Sequence, residues 1–167
     1  MLFRSPFFDK GSYSMIEKLF NEQTVAVDVQ VKDWVEAIKF GGNLLVESDA
    51  VETEYIDAMI ENVKKMGQYI VIAPGLAMPH ARPEHGVKKI AMALVKLKTP
   101  VAFGHEEYDP VDVLVFLSAT DQTAHIGVLA ELMQLLEDDE FLTQVRNGMS
   151  KPEIIEYISE QKYLAKE

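Results

Sequence analysis

Val111-Asp-Val-Leu-Val-Phe-Leu117 is an apolar run interrupted by a single polar residue. A strand with one face in water alternates apolar and polar residues. This run does not, so it reads as a central strand covered on both faces. A polar turn follows, Ala119-Thr120-Asp121-Gln122-Thr123, offering helix N-cap candidates, and then an apolar stripe through Ile126, Leu129, Leu132, Met133 and Leu136 at helical spacing. Strand, turn and helix in that order are the unit of a layered α/β chain.

Working outward, residues 25–31 alternate strictly, with Val25, Val27, Val29 and Val31 on one side, as in a half-buried strand. Asp33 and Glu36 have capping-box spacing ahead of Trp34, Ala37, Ile38 and Leu45, so a helix follows, weakened in its middle by Gly41-Gly42. From Thr53, the residues Ile56, Met59, Ile60 and Val63 mark an amphipathic helix that Gly67 ends. Tyr69–Ile72 and Ile90–Leu97 read as further strands, the latter stopped by Thr99-Pro100. Ser150 and Glu153 form a second capping box, with Pro152 in the first turn, opening a last helix to about Lys162. Strands interleaved with helices give the α/β class, a sheet with helices on both faces.

The chain has 167 residues, enough for one domain with a sizeable core. With 16 Lys and Arg against 27 Asp and Glu its formal charge is −11, which argues against a phosphate-backbone binder and excludes nucleic acid as the expected partner. It has no cysteine, so disulfides, thiolate metal centres and thiol nucleophiles are ruled out. No apolar run approaches the roughly 20 residues of a membrane helix, so a cytoplasmic protein without direct membrane insertion is expected. Residues 1–14 precede the first helical pattern, at Met15, and read as an arm or an alternative start; residues 15–163 form the expected single domain.

Chemistry then falls to four histidines, His80, His85, His105 and His125. His80 lies in Gly75-Leu-Ala-Met-Pro-His-Ala-Arg-Pro-Glu-His-Gly86, where a Pro-Gly turn leads into a short apolar stretch that stops at Pro79. Proline fixes its own φ and cannot donate to a ladder, so the next imidazole is presented at a strand end on constrained backbone. Position alone leaves two readings: a preorganised reactive group, or a turn histidine capping a carbonyl. His125 sits in the first turn of its helix, where unpaired N–H groups favour an anion; it reads equally as a partly buried structural residue sharing a face with Leu129 and Leu132. His85 and His105 read as solvated. A metal site from His80, His85, His105, His125 and Asp109 is disfavoured, because Arg82-Pro83 breaks the pairing of His80 with His85. No serine sits in a nucleophile elbow, and no Gly-Lys-Ser/Thr completes a phosphate loop.

The segment Tyr69-Ile-Val-Ile-Ala-Pro-Gly-Leu-Ala-Met-Pro-His80-Ala-Arg-Pro-Glu-His-Gly-Val87 resembles the active-site segment of the EIIA components of the bacterial phosphoenolpyruvate-dependent sugar phosphotransferase system, mannitol/fructose type. Trp34-Val-Glu-Ala-Ile38, Leu97-Lys-Thr-Pro100, Tyr108-Asp-Pro-Val-Asp-Val-Leu114 and His125 resemble its L-ascorbate-specific branch, and the similarity runs from about Met15 to Tyr163. The resemblance implies a mixed β-sheet flanked by helices on both faces, an α/β/α sandwich. It also implies that His80 is the phosphorylated nucleophile and that His125 is a second active-site histidine stabilising the phosphoryl group. HPr would be the donor, and a cysteine of EIIB, working with the membrane EIIC, the acceptor. No cofactor or metal is implied, and a homodimer is left open. An imidazole suits a relay: it is nucleophilic near neutral pH, and its P–N bond stays labile enough to pass the group on. The mannitol and fructose branches carry an Arg-Glu pair in the helix before this segment. Here the stretch is Glu61-Asn62-Val63-Lys64, and the ascorbate-like branch also lacks the pair. Two competing functions remain: a regulatory EIIA-type domain whose phosphorylation controls a transcription factor or enzyme, and a small metal-dependent hydrolase.

Overall fold

The computed structural model describes residues 15–120 and 126–160, the Gln68 side chain excepted, so His125 and the 121–123 turn lie outside the described residues. Five strands form one mixed sheet: β1 (Val25–Val29), β2 (Val71–Ala73), β3 (Leu76–Ala77), β4 (Ala91–Val101) and β5 (Val111–Ser118). Their order is β1-β4-β5-β3-β2, which puts β5 at the centre, as its nearly continuous apolar run implies. β1 and β4 run parallel, as do β3 and β5, whereas β4–β5 and β2–β3 are antiparallel.

The helices divide between the two faces. Helices α1 (Trp34–Glu47) and α2 (Glu54–Met66) bury Ile38, Leu45, Tyr55 and Met59 against Ala93, Val95, Leu114 and Phe116. On the other face α3 (Ile126–Leu136), α4 (Asp139–Arg146) and α5 (Lys151–Glu160) bury Leu132, Phe141 and Ile154 against Met92, Leu94, Val113 and Val115. The α/β/α sandwich is therefore present. The two caps read from sequence also form. Asp33 accepts from Glu36 N at 2.9 Å, and Ser150 N donates to Glu153 Oε1 at 2.9 Å while Glu153 N donates back to Ser150 Oγ at 3.3 Å.

Several local expectations are corrected. The alternation of residues 25–31 does not keep one face. Asp28 has φ +55° and forms a bulge, so Val25 joins one core while Val29 and Val31 join the other. The register shows the extra residue, since Ala26 pairs with Val95 but Val29 with Leu97. Tyr69 and Ile70 lie in a 3-10 turn (Gly67–Ile70) rather than a strand, because Gly67, with φ +65°, swings the chain off the end of α2. β4 runs through Pro100 to Val101, and its register slips between Lys96 and Val101, where proline has no N–H to give the ladder. The α3 stripe is rotated: Val128, Leu132, Leu135 and Leu136 are buried, while Ile126 is 65% exposed. Asp138, in the acidic run Glu137-Asp138-Asp139-Glu140, caps α4 and accepts from the Tyr157 hydroxyl at 2.7 Å.

Gly41 and Gly42 have a packing role that local propensity does not show. A Cβ on Gly41 would overlap Cε1 of Phe116, and one on Gly42 would stand 2.6 Å from Cγ1 of Ile56. α1 therefore touches both the sheet and α2 along its glycine face.

Candidate active site

β3 is short, but its parallel pairing with the centre of β5, Leu76 to Val113 and Ala77 to Leu114, fixes the direction in which the chain leaves the sheet. Upstream, Gly75 adopts φ +73° and bonds through both its backbone groups, its N–H to Tyr108 O and its carbonyl to Asp112 N and Val113 N. Downstream, Met78 N donates to Ile70 O at 2.8 Å and Leu117 N donates to Pro79 O at 3.2 Å. The chain up to Pro79 is thus tied on both sides, and His80 emerges beyond the carboxyl end of β3, exposed. Ligand sites in open α/β sheets favour this edge.

The imidazole is held by its own backbone. Nδ1 lies 2.8 Å from the carbonyl oxygen of Met78, and a carbonyl can only accept, so Nδ1 carries the proton. The lone pair is left on Nε2. This is the tautomer a nucleophile attacking through Nε2 needs, and it is selected by the two-residue reach back across Pro79.

The segment after His80 is anchored by a buried tyrosine. The Tyr55 hydroxyl donates to Leu117 O at 2.7 Å and accepts from Ala81 N at 2.9 Å, with Ala81 O at 3.2 Å. It joins α2, the end of β5 and the residue next to His80. Burial pushes the Tyr55 phenol up to about 12, against the smaller opposing effect of the Ala81 backbone. Asn62, two turns farther along α2, donates from Nδ2 to His80 O at 3.1 Å. Farther on, Glu52 N donates to Gly86 O and Lys88 N to Ala50 O, each at 2.8 Å, so residues 86–88 are clasped to the loop after α1.

These elements enclose a cleft of about 650 Å³. Its polar lining includes His80, His85, Asn62, Lys65 and Arg82, with the Tyr55 ring at its base. The other histidines fare differently. His105 lies in the loop between β4 and β5, stacks on Tyr108 with ring centroids 4.4 Å apart, and accepts at Nδ1 from Glu107 N and Tyr108 N. It is a loop organiser rather than a solvated residue. Asp109 accepts from the N–H groups of Phe103, Gly104 and His105, so its carboxylate closes that loop. His125 lies outside the described residues.

Tyr55, Asn62 and Lys65 are the site residues the sequence reading missed. Tyr55 falls on the apolar stripe of α2, four residues before Met59, and a polar-tipped residue on a core stripe is a signal that its hydroxyl has a buried partner. Asn62 and Lys65 flank that stripe one turn apart, with nothing local to distinguish them from solvated residues.

Residues 18–161 match the family model described as the phosphoenolpyruvate-dependent sugar phosphotransferase system, EIIA 2. The ascorbate-specific PTS system EIIA component of Escherichia coli (strain K12) is 40% identical over 144 residues, covering 85% of this chain and 93% of that protein. Among solved structures, the mannitol-specific cryptic enzyme IIA CmtB from Escherichia coli superposes with a TM-score of 0.79 at 36% identity, covering 87% of this chain and 99% of that one. An enzyme IIA for mannitol from Escherichia coli, solved in complex with phosphorylated enzyme IIB, superposes with a TM-score of 0.73 at 25% identity, covering 84% of this chain and 97% of that one.

Proposed function

Because the chain belongs to the type-2 EIIA family of the phosphoenolpyruvate-dependent sugar phosphotransferase system, whose members are phosphotransferase proteins carrying a phosphohistidine intermediate, we propose that His80 is its phosphorylated residue. The observation that carries this reading is the 2.8 Å contact of His80 Nδ1 with Met78 O, which leaves Nε2 as the nucleophile in an exposed cleft. The Nε2 lone pair attacks phosphorus in line as the donor's P–N bond breaks, and the departing nitrogen keeps the bonding pair. The Nδ1 proton stays on its hydrogen bond throughout. Return of the phosphoryl group to an acceptor thiolate reverses the same geometry.

In this reading HPr is the donor, and an EIIB cysteine is the acceptor, serving a membrane EIIC. Support for the acceptor comes from the structural relative solved with phosphorylated enzyme IIB. The absence of cysteine from this chain agrees, since the thiol step then belongs to another protein or domain. His125 acts as the second active-site histidine, stabilising the phosphoryl group, within one phosphotransfer domain spanning residues 15–163. The sugar is L-ascorbate or a related sugar acid or pentitol, a reading supported by the 40% identical relative described as ascorbate-specific. Among the described residues no helix is long and apolar enough to cross a membrane, and the cytoplasm is the proposed location. The charge of −11 suits docking to a carrier with a basic patch, chiefly through the association rate.

The test is incubation with phosphoenolpyruvate, enzyme I and HPr. Acid-labile, base-stable phosphate is expected on the wild type, and a His80→Ala variant that still labels fully would overturn the assignment. A deletion strain that takes up ascorbate normally would remove the substrate part alone.

A further inference from the structure

The charge of the His80 cleft runs against that of the whole chain. The formal charge is −11, yet among the described residues no carboxylate lines the cleft, while Lys65 and Arg82 do. Lys65 comes from the last turn of α2, and Arg82 from the loop two residues beyond His80. Neither cation is committed elsewhere. No ion pair of Lys65 occurs among the described residues, and Arg82 reaches only Glu84, at 3.7 Å, with its side chain 79% exposed. An exposed pair at that distance is held weakly and gives way to a stronger anion. Asn62, in contrast, already donates to the His80 carbonyl and is neutral, so it can position the loop but cannot balance charge.

We infer that Lys65 and Arg82 form a two-sided cationic clamp for the phosphoryl group on His80 Nε2, one arm from the end of α2 and the other from the loop after His80. The inference rests on the reading of His80 as the phosphorylated residue. A phosphoryl group brings close to two negative charges, and the oxygens of the transferring group need donors aimed at them. A guanidinium presents a planar fork to such oxygens, and an ammonium acts as a point charge. Clamping from two elements fixes the group against rotation about the P–N bond, which favours in-line departure to the next acceptor.

Phosphoramidate is the probe that isolates the clamp, because it delivers a phosphoryl group without a docking protein. Nε2 forms the new P–N bond, the old one breaks, and the leaving nitrogen takes the bonding pair and departs as ammonia. Labelling of His80 is followed by ³¹P NMR in the wild type, Lys65→Gln, Arg82→Gln, the double variant, the conservative Lys65→Arg, and Lys64→Gln as control. Lys64 is exposed, pairs with Glu61 at 3.8 Å and does not line the cleft. Each single Gln variant is expected to label about tenfold more slowly, and the double variant more slowly still. Lys65→Arg should recover most of the rate, and Lys64→Gln should match the wild type. Thermal unfolding should be unchanged, since both side chains are exposed, and the phosphoryl group should titrate at higher pH once a cation is removed. A double variant labelling within about twofold of the wild type, or a Lys64→Gln loss equal to that of Lys65→Gln, would overturn the clamp while leaving His80 as the phosphorylated residue. A wild type that takes no phosphoryl group on His80 would overturn both.

Discussion

Replacing Tyr55 with Phe removes one oxygen atom from the base of the site and keeps the shape of the core. The hydroxyl it deletes serves Leu117 O at 2.7 Å and Ala81 N at 2.9 Å, groups that lie 62 and 26 residues away along the chain. The Leu117 carbonyl is in the interior and gains no replacement partner, which costs about 1–3 kcal/mol; the Ala81 N–H is partly accessible to water and adds about 1 kcal/mol. The expected loss is therefore about 2–4 kcal/mol, or roughly 5–12 °C in Tm for a domain of this size. Urea unfolding measures it. The same experiment at high pH gives an independent signature. Burial raises the phenol to about 12 in the folded protein, above its ordinary value near 10, so the folded state holds its proton more tightly than the unfolded chain does. That contribution is complete below about pH 10 and fades as pH rises toward 12, by about 3 kcal/mol in total. The Phe variant should lack this part of the alkaline loss. Labelling of His80 should also slow by about tenfold or more, because the loop carrying it loses its anchor. A variant within 0.5 kcal/mol of the wild type, with an unaltered alkaline profile, would refute the anchoring role.

Glycine to alanine within a helix ordinarily stabilises by about 1 kcal/mol. Gly41→Ala should instead destabilise by about 2 kcal/mol, because its Cβ would meet the Phe116 ring, and Phe116→Leu in the same chain should recover part of the loss in a denaturant titration. Arg146→Met should cost about 2 kcal/mol, since the guanidinium holds both Asp112 oxygens, at 3.0 and 3.1 Å, and Pro74 O at 2.9 Å. Labelling of His80 should be retained in that variant below its melting point. Asn62→Ala, which frees the His80 carbonyl, should cost under 1 kcal/mol in stability yet slow labelling several-fold.

How much of this was legible in the sequence depended on how local each cause is. The central position of β5 follows from its own composition, and the helix caps at Asp33 and Ser150 follow from residues three apart. For His80 the local signals, Pro79 and the Pro74-Gly75 turn, leave a reactive group and a turn histidine both open, and its reading as the phosphorylated residue comes from the resemblance of the whole segment. The bulge at Asp28 was not, since a left-handed Asp in a strand is selected by the β4 register it must meet. Gly41-Gly42 reads locally as a weakness because the groups that require it lie elsewhere in the chain, the Phe116 ring 75 residues from Gly41 and the Ile56 side chain against Gly42. Tyr55, Asn62 and Lys65 enter the site through the packing of α2 against the His80 loop, a contact no periodicity reports. The α3 stripe shares Leu132 and Leu136 with the periodic reading but begins at Val128, since Ile126, although apolar, faces water.

If the Met78 carbonyl chooses the reacting nitrogen of His80, the choice is read from the site of the P–N bond in the phosphorylated protein. With ¹⁵N-labelled histidine, ¹⁵N–³¹P coupling and long-range ¹H–¹⁵N correlation identify which nitrogen carries phosphorus and which keeps its proton. Phosphorus is expected on Nε2 of His80, with a proton retained on Nδ1 toward Met78 O. Phosphorus on Nδ1, or on a residue other than His80, would contradict it.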